Sequence, residues 1–213
     1  YVVFSTAAAL VAGDENDVDD VYRRDTVEGR TVLFSQRNGR PGNDYSFEPT
    51  ISANGRKVAY TTWATNLTGT RARNKSVLDV VVTNVETGST TRVSESTAGF
   101  QRDQNSFAPM ISGNGKVVAF QSFASFDVRD DDNREDVYAT KLRTGRTVQV
   151  SLHPDGRDVR GGVLVGDISD NGELVTFGDA NHLWIRNLPE RATVRFWQEP
   201  DSPPCQHLPG GSA

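Results

Sequence analysis

The chain has 213 residues, of which 36% are hydrophobic and 24% charged, with a formal net charge of −5. That length suits one domain, or several repeats of a smaller unit, with enough apolar residues for a core. The acidic balance argues against a nucleic-acid partner, no apolar run approaches the length of a membrane span, and the single cysteine, Cys205, excludes an internal disulfide.

The chain opens on YVVF at 1–4, a short β-like run with fuller relatives further on. ISANGRKVAY at 51–60 returns as ISGNGKVVAF at 111–120 and as ISDNGELVTF at 168–177. The closing aromatics, Phe4, Tyr60, Phe120 and Phe177, recur every 56 to 60 residues. A second marker follows each of them: DVY at 20–22, DVV at 79–81, DVY at 136–138, and HLW at 182–184 in the fourth unit. Behind Asp20, Asp79 and Asp136, at constant offsets, come Gly29, Gly88 and Gly145, then Ser35, Ser94 and Ser151. Such self-similarity is the organisation of the whole chain. Its units run over about 1–37, 48–95, 107–151 and 164–197, and a Pro/Gly-rich tail occupies 198–213.

Within a unit the pattern is β. Runs such as VAYTTW and DVVVTNV are short, rich in Val, Thr and aromatics, and bounded by Asn-Gly or Thr-Gly turns. The second unit illustrates the four expected strands: A near 48–52, B at 57–63, C at 78–85 and D at 90–95. Tandem four-stranded units of this length predict an all-β fold, a β-propeller of antiparallel blades with about four blades visible. In the first unit the innermost strand, A, falls by its offset ahead of Phe4 and beyond residue 1. The four prolines of the tail argue against its supplying that strand. The expectation is therefore a piece of a longer propeller.

In such blades the A–B and C–D turns are tight and share one face, which leaves that face little room for a site. The B–C and D–A loops are long and share the other, where a rigid scaffold presents its binding groups. Two B–C loops fit D-x-[ND]-x-x-x-D. Asp14, Asn16 and Asp20 in the first, and Asp130, Asp132 and Asp136 in the third, supply the oxygens that a hard cation such as Ca2+ takes. The alternative is a solvated turn whose Asp and Asn side chains cap their own backbone. The second unit breaks the pattern with Arg73 and Lys75, and the fourth lacks most of the loop.

Arginine outnumbers lysine 19 to 4. Arg40, Arg102, Arg157 and Arg160 lie near the D–A loops, where bidentate guanidinium contacts suit a protein or polyanionic partner; the alternative is an ordinary solubilising surface. The three histidines, His153, His182 and His207, stand at different repeat positions, so a shared zinc site is disfavoured. No G-x-S-x-G elbow occurs, and Ser35, Ser94 and Ser151 repeat as structural positions do. Trp63 and Trp184 align with packing residues of the other units. Trp197 replaces a serine and is the more exposed candidate.

The sequence ISxNGxxVAF, an Asp-rich loop, DVY, a Thr-Gly turn and a TxxVS strand resembles the bacterial TolB-like (WD-type) propeller repeat over about residues 1–197. Three roles follow, the first from the long-loop face together with the resemblance, the second from the resemblance, and the third from the acidic loops. The first is a non-catalytic module that presents its long loops to a protein or carbohydrate. The second is the propeller domain of a peptidase-type hydrolase whose catalytic part lies elsewhere. The third is a calcium-stabilised structural module. The resemblance also implies a secreted or periplasmic setting.

Overall fold

The computed structural model describes residues 1–69, 77–99, 104–127, 130, 134–159 and 162–198. Each repeat forms one antiparallel sheet. The first blade has three strands in chain order, β1 (Val2–Thr6), β2 (Asp20–Arg24) and β3 (Thr31–Leu33). A short hairpin follows, β4 (Gln36–Arg37) and β5 (Arg40–Pro41). The second blade is β6 (Ser46–Ile51), β7 (Lys57–Thr62), β8 (Asp79–Asn84) and β9 (Thr90–Arg92). The third is β10 (Ser106–Ile111), β11 (Val117–Ser122), β12 (Asp136–Lys141) and β13 (Arg146–Gln149). The fourth is β14 (Leu164–Ile168), β15 (Leu174–Gly178), β16 (His182–Asn187) and β17 (Ala192–Gln198). The propeller architecture and the three-stranded first blade match the sequence expectation. The β4–β5 hairpin is an addition, although its Asn38-Gly39 turn, with φ of 53° and 77°, carries a readable hairpin signature.

The central strands of blades 2 and 3 are apolar on both sides because those blades are covered on both faces. On β7, Val58 and Tyr60 enter the core shared with blade 1, while Ala59 enters the core shared with blade 3. On β11, Val118 and Phe120 face blade 2, and Val117 and Ala119 face blade 4. Period-2 alternation thus sends successive side chains into two different cores. Three such cores fill the three junctions, and Phe120 stacks on Tyr138 as Phe177 stacks on Trp184.

The S-x-N-G motif explains itself in the A–B turns. The hydroxyls of Ser52, Ser112 and Ser169 donate to the side-chain oxygens of Asn54, Asn114 and Asn171. The same hydroxyls accept from the backbone N–H of Lys57, Val117 and Leu174. Successive turns are also bonded to one another, Ala53 N–H to Gly113 at 2.9 Å and Asn114 N–H to Asp170 at 2.8 Å. This close stacking is why glycine is required at Gly172. Its φ is +71°, and a Cβ there would stand 2.9 Å from Val117 Cγ2 and 3.2 Å from Ser112 Cβ. Gly88, with φ of +65°, has open space around it. We expect Gly172→Ala to cost about 2–3 kcal/mol, roughly 4–10 °C in Tm. Gly88→Ala should cost about 1 kcal/mol. Thermal denaturation followed by circular dichroism measures the difference; equal losses would contradict the stacked-turn account.

Candidate functional site

The B–C and D–A loops meet at one end of the blades. Asn16 of the first B–C loop donates to the Gly42 carbonyl at 2.8 Å. The Asn43 and Thr65 side chains bond at 3.0 Å, and Leu78 N–H reaches Asn105 at 2.9 Å. The first two junctions are therefore closed by contacts between a B–C loop and the D–A loop beside it.

Beneath this face lies a repeated polar box. Asp20, Asp79 and Asp136, each heading its strand, accept from the hydroxyls of Ser35, Ser94 and Ser151. Those hydroxyls in turn accept from the N–H of Val21, Val80 and Val137 at 2.9, 3.1 and 3.1 Å. The box ties the entry of strand C to the exit of strand D, and burial raises the pKa of all three carboxyls. Blade 2 supplies a counter-charge, Arg92, whose Nε lies 3.0 Å from Asp79. Blade 3 puts Gln149 at that position. Its amide donates to Asp136 at 3.1 Å and to Asp158 at 2.6 Å. There burial, with Asp158 and Asp130 nearby, pushes Asp136 up to about 7. In blade 4 the box is rebuilt from Asp179, which accepts from Trp184 Nε1 at 3.1 Å and lies 2.9 Å from His182 Nδ1.

The six acidic-loop residues are accounted for as follows. The buried carboxylates of Asp14 and Asp130 accept from the hydroxyls of Tyr22 and Tyr138. Burial and this bond push the Tyr22 hydroxyl up to about 12, and Tyr138 moves in the same direction. Asn16 turns its NH2 to Asp20 at 2.6 Å. Asp132 lies outside the described residues. Among the described residues, no three His, Cys, Asp or Glu side chains gather in metal-binding geometry. Of the arginines, Arg40 sits exposed on β5, beside Glu15 and Asn16 around a cavity of about 330 Å³. Arg157 is exposed and paired with Asp155 at 2.7 Å. Arg102 and Arg160 lie outside the described residues, as do His207 and the tail from 199 onward.

Three expectations change. Trp63 is no mere packing residue: it stands 36% exposed at the loop end of β7, edge-on to Tyr45 and Phe47 at ring distances of 6.0 and 5.9 Å. Tyr45 is 43% exposed, and blade 3 repeats the arrangement with Phe107 and Phe123, the latter 37% exposed. His153 and His182, distant in sequence, both flank the buried Trp184 at ring distances of 5.3 Å. The tight-turn face is roomier than its short turns imply, with a cavity of about 680 Å³ between blades 3 and 4.

No protein-family model matches the chain, and neither does any curated protein. Solved structures do. A protein assigned as TolB from Agrobacterium tumefaciens superposes with a TM-score of 0.55 at 12% identity, over 92% of this chain and 60% of that one. The chain has the fold of a TolB-type β-propeller. An oligogalacturonate lyase solved with manganese gives 0.50 at 14% identity, over 84% of this chain and 42% of that one. A prolyl endopeptidase gives 0.52 at 13% identity, over 85% and 26%. Identities this low establish fold alone, and the chain spans about 60% of the TolB structure's length.

The box makes a pH prediction. Asp136 has a raised carboxyl pKa in the fold, so the native state holds a proton that the unfolded chain releases near its ordinary value of 3.8. Its contribution is most favourable below that value and is lost as pH rises towards 7. Asp136→Asn keeps the acceptor for Ser151 and abolishes the titration. Urea unfolding between pH 4.5 and 8 should show wild-type stability falling with pH, and the variant falling less steeply. Parallel profiles would contradict the assignment.

Proposed function

We propose that this chain is a non-catalytic binding module that presents its long-loop face to a protein partner. The observation that carries the reading is the exposed aromatic set, Tyr45 and Trp63 on blade 2 and Phe123 on blade 3, with Arg40 on the same face. Partly exposed aromatics beside arginine are the composition of protein-binding hot spots. A carbohydrate is the second occupant, since the same rings offer flat apolar faces to a sugar. The resemblance to TolB-type propellers supports a periplasmic or secreted setting.

The test is a peptide-display selection on the wild-type chain, counter-screened on Trp63→Ala/Phe123→Ala, with galacturonate oligomers titrated in parallel. Because each ring also packs on Phe47 or Phe107, the variant is expected to lose some stability, and binding is read at a temperature where its circular dichroism matches the folded wild type. Recovered peptides should bind the variant at least tenfold more weakly, about 1.4 kcal/mol. Ligands that do not distinguish the two proteins would overturn the assignment of the face.

Two further roles follow from particular observations. The superposition on a prolyl endopeptidase covers most of this chain but a quarter of that enzyme. It supports a role as the propeller part of a peptidase-type hydrolase, with its catalytic groups on another part of the protein. In blade 3, Asp158 and Asp130 both raise the Asp136 carboxyl, where blade 2 has the Asp79–Arg92 pair. The D-x-[ND]-x-x-x-D spacing of that loop supports a cation such as Ca2+ as a stabiliser. Calcium at about 100 times its Kd adds about 2.7 kcal/mol, roughly 5–10 °C in Tm for a chain of this size. A shift of that order between EDTA and millimolar calcium, lost in Asp130→Ala/Asp132→Ala, supports the calcium role. Identical melting curves would leave the loops as hydrogen-bonded turns.

A further inference from the structure

The tight-turn face differs from blade to blade in a way the repeat makes measurable. The backbone bond that joins the two turns of a blade recurs three times. Val85 N–H donates to Arg56, Leu142 to Lys116 and Leu188 to Glu173, at 2.8, 2.9 and 2.8 Å. Positions 56, 116 and 173 are therefore equivalent, and so are 86, 143 and 189. In blade 2 these positions hold an ion pair, Arg56–Glu86 at 3.1 Å. In blade 3 they hold Lys116 and Arg143, two cations. Lys141, where blade 2 has Asn84, adds a third. The pairing of Val117 with Lys141 fixes this set to one end of the β11–β12 hairpin.

These cations border the cavity of about 680 Å³ between blades 3 and 4. Lys57 reaches in from blade 2, its Nζ donating to the Gly115 carbonyl at 2.8 Å. Lys116, Lys141 and Arg143 are exposed and, among the described residues, form no ion pair. Glu173 is the one carboxylate on the rim, and Leu142 and Leu188 give the cavity an apolar wall. A chain of net charge −5 thus concentrates positive charge at one groove, where a local field outweighs the global balance.

We propose that this groove docks an acidic peptide segment of a partner protein, at a site separate from the long-loop face. Carboxylates meet the lysines and the fork of Arg143, and an apolar side chain between them covers Leu142 and Leu188. A bare phosphate leaves the apolar wall uncovered, and the overall acidity opposes a nucleic acid.

The test is fluorescence anisotropy with a fluorescein-labelled Glu-Glu-Leu-Glu-Glu peptide at low salt. Lys116→Glu restores an ion pair of the blade-2 kind, Glu at 116 facing Arg143, so it should fold at least as well as wild type. It should bind the peptide at least tenfold more weakly, about 1.4 kcal/mol. Arg30→Glu, at the exposed C–D turn of blade 1, should bind as wild type does. Raising the salt to 0.5 M should also weaken binding, since exposed charges are then screened within a few ångströms. The proposal fails if the wild type does not bind at about 1 mM peptide, if Lys116→Glu binds equally well, or if Arg30→Glu removes binding. It also fails if an oligothymidylate binds the groove and the peptide does not.

Discussion

The hydrogen bond between a buried carboxylate at the head of strand C and a serine at the end of strand D is the constraint on which each blade depends. An unpaired carboxylate taken from water is costly, and a charge-assisted bond offsets much of that cost while fixing direction. In this chain the serine hydroxyl bridges carboxylate and backbone N–H in three blades, so one side chain sets both the strand register and the entry point of the long loop. The fourth blade lacks the aspartate and reaches the same end with Asp179, His182 and Trp184. What varies is the charge beside the box, arginine in blade 2 and glutamine with a second carboxylate in blade 3.

The repeat, the blade boundaries and the tight turns were legible because they rest on local chemistry. Asn-Gly turns, alternation and constant offsets need no knowledge of distant contacts. The offset from Asp136 to Ser151 was visible as a number, yet its meaning was not, since a hydrogen bond across a hairpin appears only when both strands are placed. The spacing of Asp14, Asp20 and Asp130 is that of an oxygen-rich loop, and it does not reveal their hydrogen-bond partners Tyr22, Ser35 and Tyr138, which the fold brings to them. Trp63 aligned with Phe123 and was assigned to packing. Both positions pack and face solvent at once, a state that sequence position alone does not separate. The approach of His153 to Trp184 is tertiary in origin and left no sequence trace, whereas His182 stands two residues before Trp184 on the same strand.

The two faces differ in charge and shape. The long-loop face sits on buried carboxylates, and its outer surface offers aromatics and Arg40. The tight-turn face is bound together by stacked Asn-Gly turns and keeps its cations unneutralised at blade 3. A rigid scaffold with two chemically distinct faces can hold two partners, or two segments of one, without moving.

The buried carboxylates organise the blades, and Gln149→Arg tests their role most directly. Blade 2 shows that an arginine fits at this position and neutralises the box. Urea unfolding of the variant at pH 5 and pH 8 should show little difference between the two, with stability at pH 8 above that of wild type. A variant that is no more stable at pH 8, with the wild-type dependence on pH intact, would contradict the carboxylate box as the organising element of the blades.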